Sequence, residues 1–181
     1  MLWSLRAGES DVLVDLGSGT GRLILAAALG LPRLRKCWGI ELLPELYDAA
    51  VQAHQRLVGG SADGGGSGGP CAQASAEVEL TCGDFCSHDW SGATIVFAMS
   101  ICFPGELLAS LERQAMALRP GARFVVMHSF IGEGYPPAAE CFRPLELRSE
   151  EPRNVMPMEM SYGEAQLYAF ERLPAGAPSA I

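Results

Sequence analysis

Four groups of residues in this chain are of types that do chemistry. The first is Asp15 with the loop behind it, Gly17-Ser18-Gly19-Thr20-Gly21. The apolar run Val12-Leu13-Val14 leads into it and the Ala- and Leu-rich stretch Arg22 to Leu29 follows it. That order predicts a strand, a glycine loop and a helix start, an arrangement that cradles a nucleotide-like ligand. Glycine permits positive φ and lets a ligand approach the backbone closely. The spacing is Gly-x-Gly-x-Gly, because Arg22 follows Gly21. Asp15 sets the charge. A carboxylate at a strand tip repels a pyrophosphate and suits an ammonium or sulfonium group. The alternative is a glycine-rich turn that holds no ligand.

The second group is Glu41, 20 residues beyond Gly21 at the end of Cys37-Trp38-Gly39-Ile40-Glu41. A doubly wound fold places an acid at that interval to hold a ribose diol, since a carboxylate accepts two hydroxyl hydrogens at once. A solvated strand-end Glu is the plainer alternative. The third is Asp84-Phe85 after Gly83. This pair is either a turn or an adenine clamp, with Asp84 accepting from the amino group and Phe85 stacking on the ring. The fourth is Met99-Ser100-Ile101-Cys102-Phe103, at the carboxyl end of an apolar strand, where open α/β sheets place their chemistry. His128, at the end of the next strand, is a candidate base or a structural histidine. Cys82, Cys86 and His88 lack a second ligand pair, so no metal is expected.

The elements that must position these groups follow from pattern. Strands are predicted at residues 12–16, 37–41, 78–81, 94–98 and 122–128, and helices at 22–29, 44–57 and 106–117. Two further strands, 141–148 and 166–172, are too close for a crossover helix and are expected to pair antiparallel. The expected fold class is α/β, a Rossmann-like doubly wound seven-stranded sheet, mostly parallel, with a C-terminal antiparallel hairpin. It occupies residues 1–172 as one domain. Residues 59–70, rich in Gly and Ser, read as a flexible surface insert, and residues 173–181 as a loose tail.

Composition excludes several classes. The chain has 181 residues, is 49% hydrophobic and carries a net charge of −8. The charge argues against a broad contact with nucleic-acid phosphates and suits a basic protein partner. No apolar run reaches the roughly 18 residues a membrane span needs. Residues 1–10 include Arg6 and Glu9 and lack the apolar core of a signal peptide. Six cysteines without a Cys-x-x-Cys pair fit a reducing compartment. The expected location is the nucleus or cytoplasm.

Asp15 with its glycine loop, Glu41, Asp84-Phe85, the turn Leu118-Arg119-Pro120-Gly121 and a terminal hairpin resemble the class I S-adenosylmethionine-dependent methyltransferases. More narrowly, Ser18 within the loop, Gly39-Ile40-Glu41, Gly83-Asp84-Phe85 ahead of Trp90, Phe103, and Ser161-Tyr162-Gly163 are similar to the disruptor-of-telomeric-silencing family. These are the non-SET histone-lysine methyltransferases. The resemblance covers about residues 11–172. It implies S-adenosyl-L-methionine as cofactor, held by Asp15, Gly17, Ser18, Gly19, Gly21, Glu41, Asp84 and Phe85. It implies lysine N-methylation of a protein, with a histone or nucleosome as partner, and a nuclear location. Phe103, Met99 and Phe130 are the expected walls of a lysine channel, with Ser100 the nearby polar group. The family places an asparagine where this chain has Met99, and a helical segment with a Tyr-Gly-Glu turn before the glycine loop. Either this chain is a shortened form or it closes its site differently. Two alternatives stand beside the lysine reading: a methyltransferase for a small molecule or another protein, and a non-catalytic cofactor-binding module.

Overall fold

The computed structural model describes residues 5–31, 33–59, 76–127, 140–145, 155–160 and 163–176. The chain divides into two compact units, one of residues 7–88, the other of residues 1–6 with 89–181. His128, Phe130, Tyr162, and the insert and tail beyond Gly59 and Gly176 lie outside the described residues.

In the unit of residues 7–88 the expected alternation is present. β1 (Val12–Leu16), α1 (Arg22–Gly30), β2 (Lys36–Glu41), α2 (Pro44–Gly59) and β3 (Glu77–Cys82) follow in order. The strands are all parallel, in the order β3-β2-β1. β1 is buried at every position, so its sequence is apolar on both faces rather than alternating, with the buried Asp15 its single polar residue. Pro44 opens α2 at the position where its missing N–H costs nothing. Across β2 and β3, the Trp38 indole N–H donates to Thr81 Oγ1 at 2.9 Å, and His88 meets the Trp38 ring edge-on with centroids 6.2 Å apart.

In the other unit, β4 (Ile95–Ala98) leads through α3 (Gly105–Ala115) to β5 (Arg123–Val126), parallel to β4. Three antiparallel segments complete it: β6 (Phe142–Pro144), β7 (Val155–Met160) and β8 (Gly163–Arg172). β8 pairs with β5, with β6 through Phe170–Arg172, and with β7 through Gly163–Tyr168. The predicted pairing of residues 141–148 with 166–172 is therefore present, but β7, which was not predicted, arises between them. Pro157 concealed it, since proline is confined to strands with an open edge, and β7 pairs with β8 alone.

The core of this unit rests on Phe124, Phe142 and Phe170, all fully buried. The rings of Phe124 and Phe142 lie 5.8 Å apart. Arg172 closes the core. Its guanidinium stands over the Phe142 ring and donates to the carbonyls of Met116, Cys141 and Leu173, tying the end of α3 to β6 and β8. No described helix is long and apolar enough to cross a membrane. Phe124→Ala removes a fully buried ring and is expected to lower the unfolding free energy by about 3–5 kcal/mol, read as a reduced urea midpoint at constant slope.

Candidate active site

The site in the unit of residues 7–88 begins with a carboxylate near the end of β1. Asp15 sits opposite Gly39 of β2 and is only 4% exposed. No hydrogen-bond donor or cation among the described residues reaches its oxygens. Burial, assisted by the charge of Glu41, pushes its pKa from 3.8 up to about 7. A carboxylate in this state gains from any cation or donor brought to it.

The chain then turns away through Gly17, Gly19 and Gly21, at φ of 78°, 55° and 74°. These angles are left-handed and disfavour any residue with a Cβ, which explains the alternation of glycines. The N–H groups of Gly17 and Ser18 both donate to the Ile40 carbonyl, at 2.9 and 3.0 Å, and Gly21 N–H donates back to Ser18 O at 2.9 Å. The loop is thereby fastened to the end of β2.

Glu41 fastens it a second time. Its Oε2 accepts from Gly19 N–H at 2.7 Å and its Oε1 from Leu43 N–H at 2.9 Å. Each carboxylate oxygen can accept twice, so both retain capacity for an incoming hydroxyl. The acid expected to serve a ribose diol thus also shapes the loop.

Asp84 caps the short 3-10 turn Phe85–Ser87, where its Oδ1 accepts from Cys86 N–H at 2.8 Å. Its side chain is on the surface, whereas Phe85 is buried, 8% exposed. The pair is a capped turn with Asp84 at the surface.

Sequence reasoning assigned no role to Gly39. A Cβ there would stand 2.8 Å from Ser18 Oγ and 3.2 Å from Leu80 Cδ2. A glycine inside an otherwise bulky strand signals such a close approach. Gly21 is similarly confined, with the Ala50 Cβ 3.0 Å from where its own would be.

The second unit holds the remaining predicted residues. Met99 precedes the 3-10 turn Ser100–Cys102 and is half-buried, as is Phe103 after it, while Ile101 and Cys102 are exposed. Ser100 is 3% exposed, and its Oγ accepts from Met127 N–H at 3.0 Å. It bridges the carboxyl ends of β4 and β5 from within rather than presenting its hydroxyl at the surface.

The family model described as histone methylation protein DOT1 matches residues 1–142. The chain belongs to the DOT1 family. A histone-lysine N-methyltransferase of Cryptococcus neoformans, H3 lysine-79 specific, is 30% identical over 138 residues. That match takes in 72% of this chain, and the chain spans 20% of the relative's length. A protein-lysine N-methyltransferase of Saccharolobus islandicus is 30% identical over 139 residues, covering 76% of this chain and 73% of the relative. Among solved structures, M. capricolum TrmK in complex with S-adenosyl-homocysteine superposes with a TM-score of 0.61 at 7% identity. It covers 94% of this chain and 66% of that one. The likeness is one of fold, and it establishes the Rossmann-like class expected from the strand and helix order.

Two outcomes test this geometry. Gly39→Ala forces Ser18 from its place and is expected to lower the melting temperature measurably, whereas Gly30→Ala, with open space at its Cβ, leaves it unchanged. The second concerns Asp15, whose pKa rises on folding from 3.8 to about 7. The folded protein keeps this proton where the unfolded chain has lost it, so stability falls as pH rises through that window. Asp15→Asn removes the penalty. At pH 8 it is expected to stabilise the ligand-free protein by up to about 4 kcal/mol in urea denaturation, and at pH 4 to change little.

Proposed function

We propose that this chain is an S-adenosylmethionine-dependent protein-lysine N-methyltransferase that acts on a histone in the nucleus. The observation that carries the reading is the buried Asp15 carboxylate, without a partner among the described residues, beside a glycine loop stapled by Glu41. The cofactor has an ammonium, a ribose diol and an adenine ring, and those are the groups such a site lacks. When bound, it supplies a methyl group on positively charged sulfur, already activated for displacement.

In this reading Asp15 neutralises the ammonium of the cofactor. Gly17, Ser18, Gly19 and Gly21 give it a backbone surface without side chains in the way. Glu41 accepts the two ribose hydroxyls with the lone pairs that Gly19 and Leu43 leave over. Asp84 accepts from the adenine amino group and Phe85 stacks against the ring.

The lysine must arrive neutral to act as a nucleophile. Met99 and Phe103, apolar and half-buried, are the residues we assign to its channel. An apolar wall removes water from the ammonium and lowers its pKa. Ser100 acts through position: its hydroxyl ties the segment Met99–Phe103, which leaves the end of β4, to the end of β5. A chain of net charge −8 attracts a basic substrate. The H3 lysine-79 specificity of the Cryptococcus relative and the protein-lysine activity of the Saccharolobus relative support this substrate class.

Incubation with the radiolabelled cofactor and nucleosomes, free histones or cell extract tests the reading. Label on histone lysine is expected; label confined to a small-molecule fraction overturns the lysine assignment, and cofactor binding without transfer to any acceptor overturns the enzyme. Asp15→Ala together with Glu41→Ala is expected to weaken cofactor affinity by at least about a hundredfold, since each removes a charge-assisted contact. The cofactor pairs with the charged form of Asp15. Its affinity is therefore expected to drop by up to about tenfold per pH unit below about pH 7, and to be flat with pH in Asp15→Asn.

A further inference from the structure

The unit of residues 1–6 with 89–181 contains a cavity of about 600 Å³, lined by Leu5, Arg6, Arg123, Arg143, Leu145 and Glu171 among others. Arg123 is the first residue of β5 and aligns with Ile95, the first of β4. The segment Met99–Phe103 leaves from the other end of β4, so the cavity belongs to the opposite end of these strands. It takes no part in the reading given above.

Three guanidinium groups and one carboxylate line this space, a local formal charge of +2 on a chain of net charge −8. Their environments differ. Arg123 is structural: its Nη1 donates to the carbonyls of Leu5 and Arg6, at 2.5 and 3.2 Å, and its Nε to Thr94 O at 3.4 Å. Those bonds hold Arg6 at a φ of 55°, the one non-glycine residue in the left-handed region among the described residues. A bulky residue stays in that region only where its surroundings hold it, and such outliers gather at binding sites. The Arg6 side chain is exposed and has no ion-pair or hydrogen-bond partner among the described residues. Arg143 directs Nε and Nη2 to the same oxygen of Glu171, at 3.2 and 2.9 Å, leaving its Nη1 without a partner there. Arg143 is half exposed and Glu171 a quarter, so water weakens that pair and an incoming anion can compete for it.

We propose that this cavity binds a small molecule bearing a diphosphate, held by Arg6 and Arg143 over a floor fixed by Arg123. The planar guanidinium fork matches phosphate oxygens in pairs. The volume lies within the range of small-molecule sites and exceeds what a single inorganic ion fills. Glu171 is the internal competitor that the ligand displaces from Arg143.

Calorimetry with the full chain, using inorganic pyrophosphate and uridine diphosphate as probes, tests this. Binding at one site per chain is expected, weakened by added salt and unaffected by saturating S-adenosyl-homocysteine. Arg6→Gln with Arg143→Gln is expected to lower the affinity at least about tenfold, with the melting temperature and S-adenosyl-homocysteine affinity retained. Glu171→Gln releases Arg143 and is expected to tighten binding several-fold, a gain that loss of structure cannot produce. Tighter binding of uridine diphosphate than of pyrophosphate assigns the remaining space to a nucleoside, and equal binding assigns the phosphates alone. The proposal is overturned if neither probe binds, if S-adenosyl-homocysteine displaces them, if the double variant binds within twofold of the parent, or if Glu171→Gln weakens binding.

Discussion

The carboxylate of Glu41 is the constraint on which the site depends. A loop that places three of five residues at positive φ is costly to order, because glycine loses more freedom on folding than any other residue. Something must hold it. Glu41 does so through Gly19, the central glycine, while its other oxygen secures Leu43 at the approach to α2. Charge-assisted hydrogen bonds to backbone N–H groups are among the stronger ones a protein forms. One side chain at the end of β2 thus sets both the loop before α1 and the turn before α2.

Packing adds a second layer to the same constraint. The Ile40 carbonyl accepts from two consecutive loop residues, Gly17 and Ser18. Gly39, next to it, leaves the room that Ser18 fills. The end of β2 therefore holds the loop through a carbonyl, an empty space and a carboxylate at three consecutive positions. In the other unit, Arg172 has the comparable part, gathering three carbonyls from three segments while its face covers Phe142.

Much of this was legible in the sequence, for physical reasons. Buried parallel strands read as apolar runs, glycine alternation marks left-handed backbone, and proline opens a helix at Pro44; these signals are local. The glycine loop after Asp15 and the interval to Glu41 were legible for the same reason. β7 was not, because Pro157 contradicts strand propensity and the edge position that makes it tolerable is a tertiary fact. Nor could Ser100 be placed: a hydroxyl after a strand reads equally as a surface donor or a buried bridge, and only its 3.0 Å bond from Met127 N–H decides. The backbone partners of Glu41 were hidden likewise, since they come from residues 22 positions back and 2 positions on.

The position of Asp15 has a consequence for the lifetime of the protein. An acid sequestered from water, at a pKa near neutrality, makes the empty molecule less durable than its packing alone would allow. A cation bound there would offset that deficit, and by mass action the population of folded chains would rise with its free concentration. Abundance and occupancy are then coupled. A cell short of such a ligand would hold fewer intact copies, because chains that open more often are the ones proteases remove.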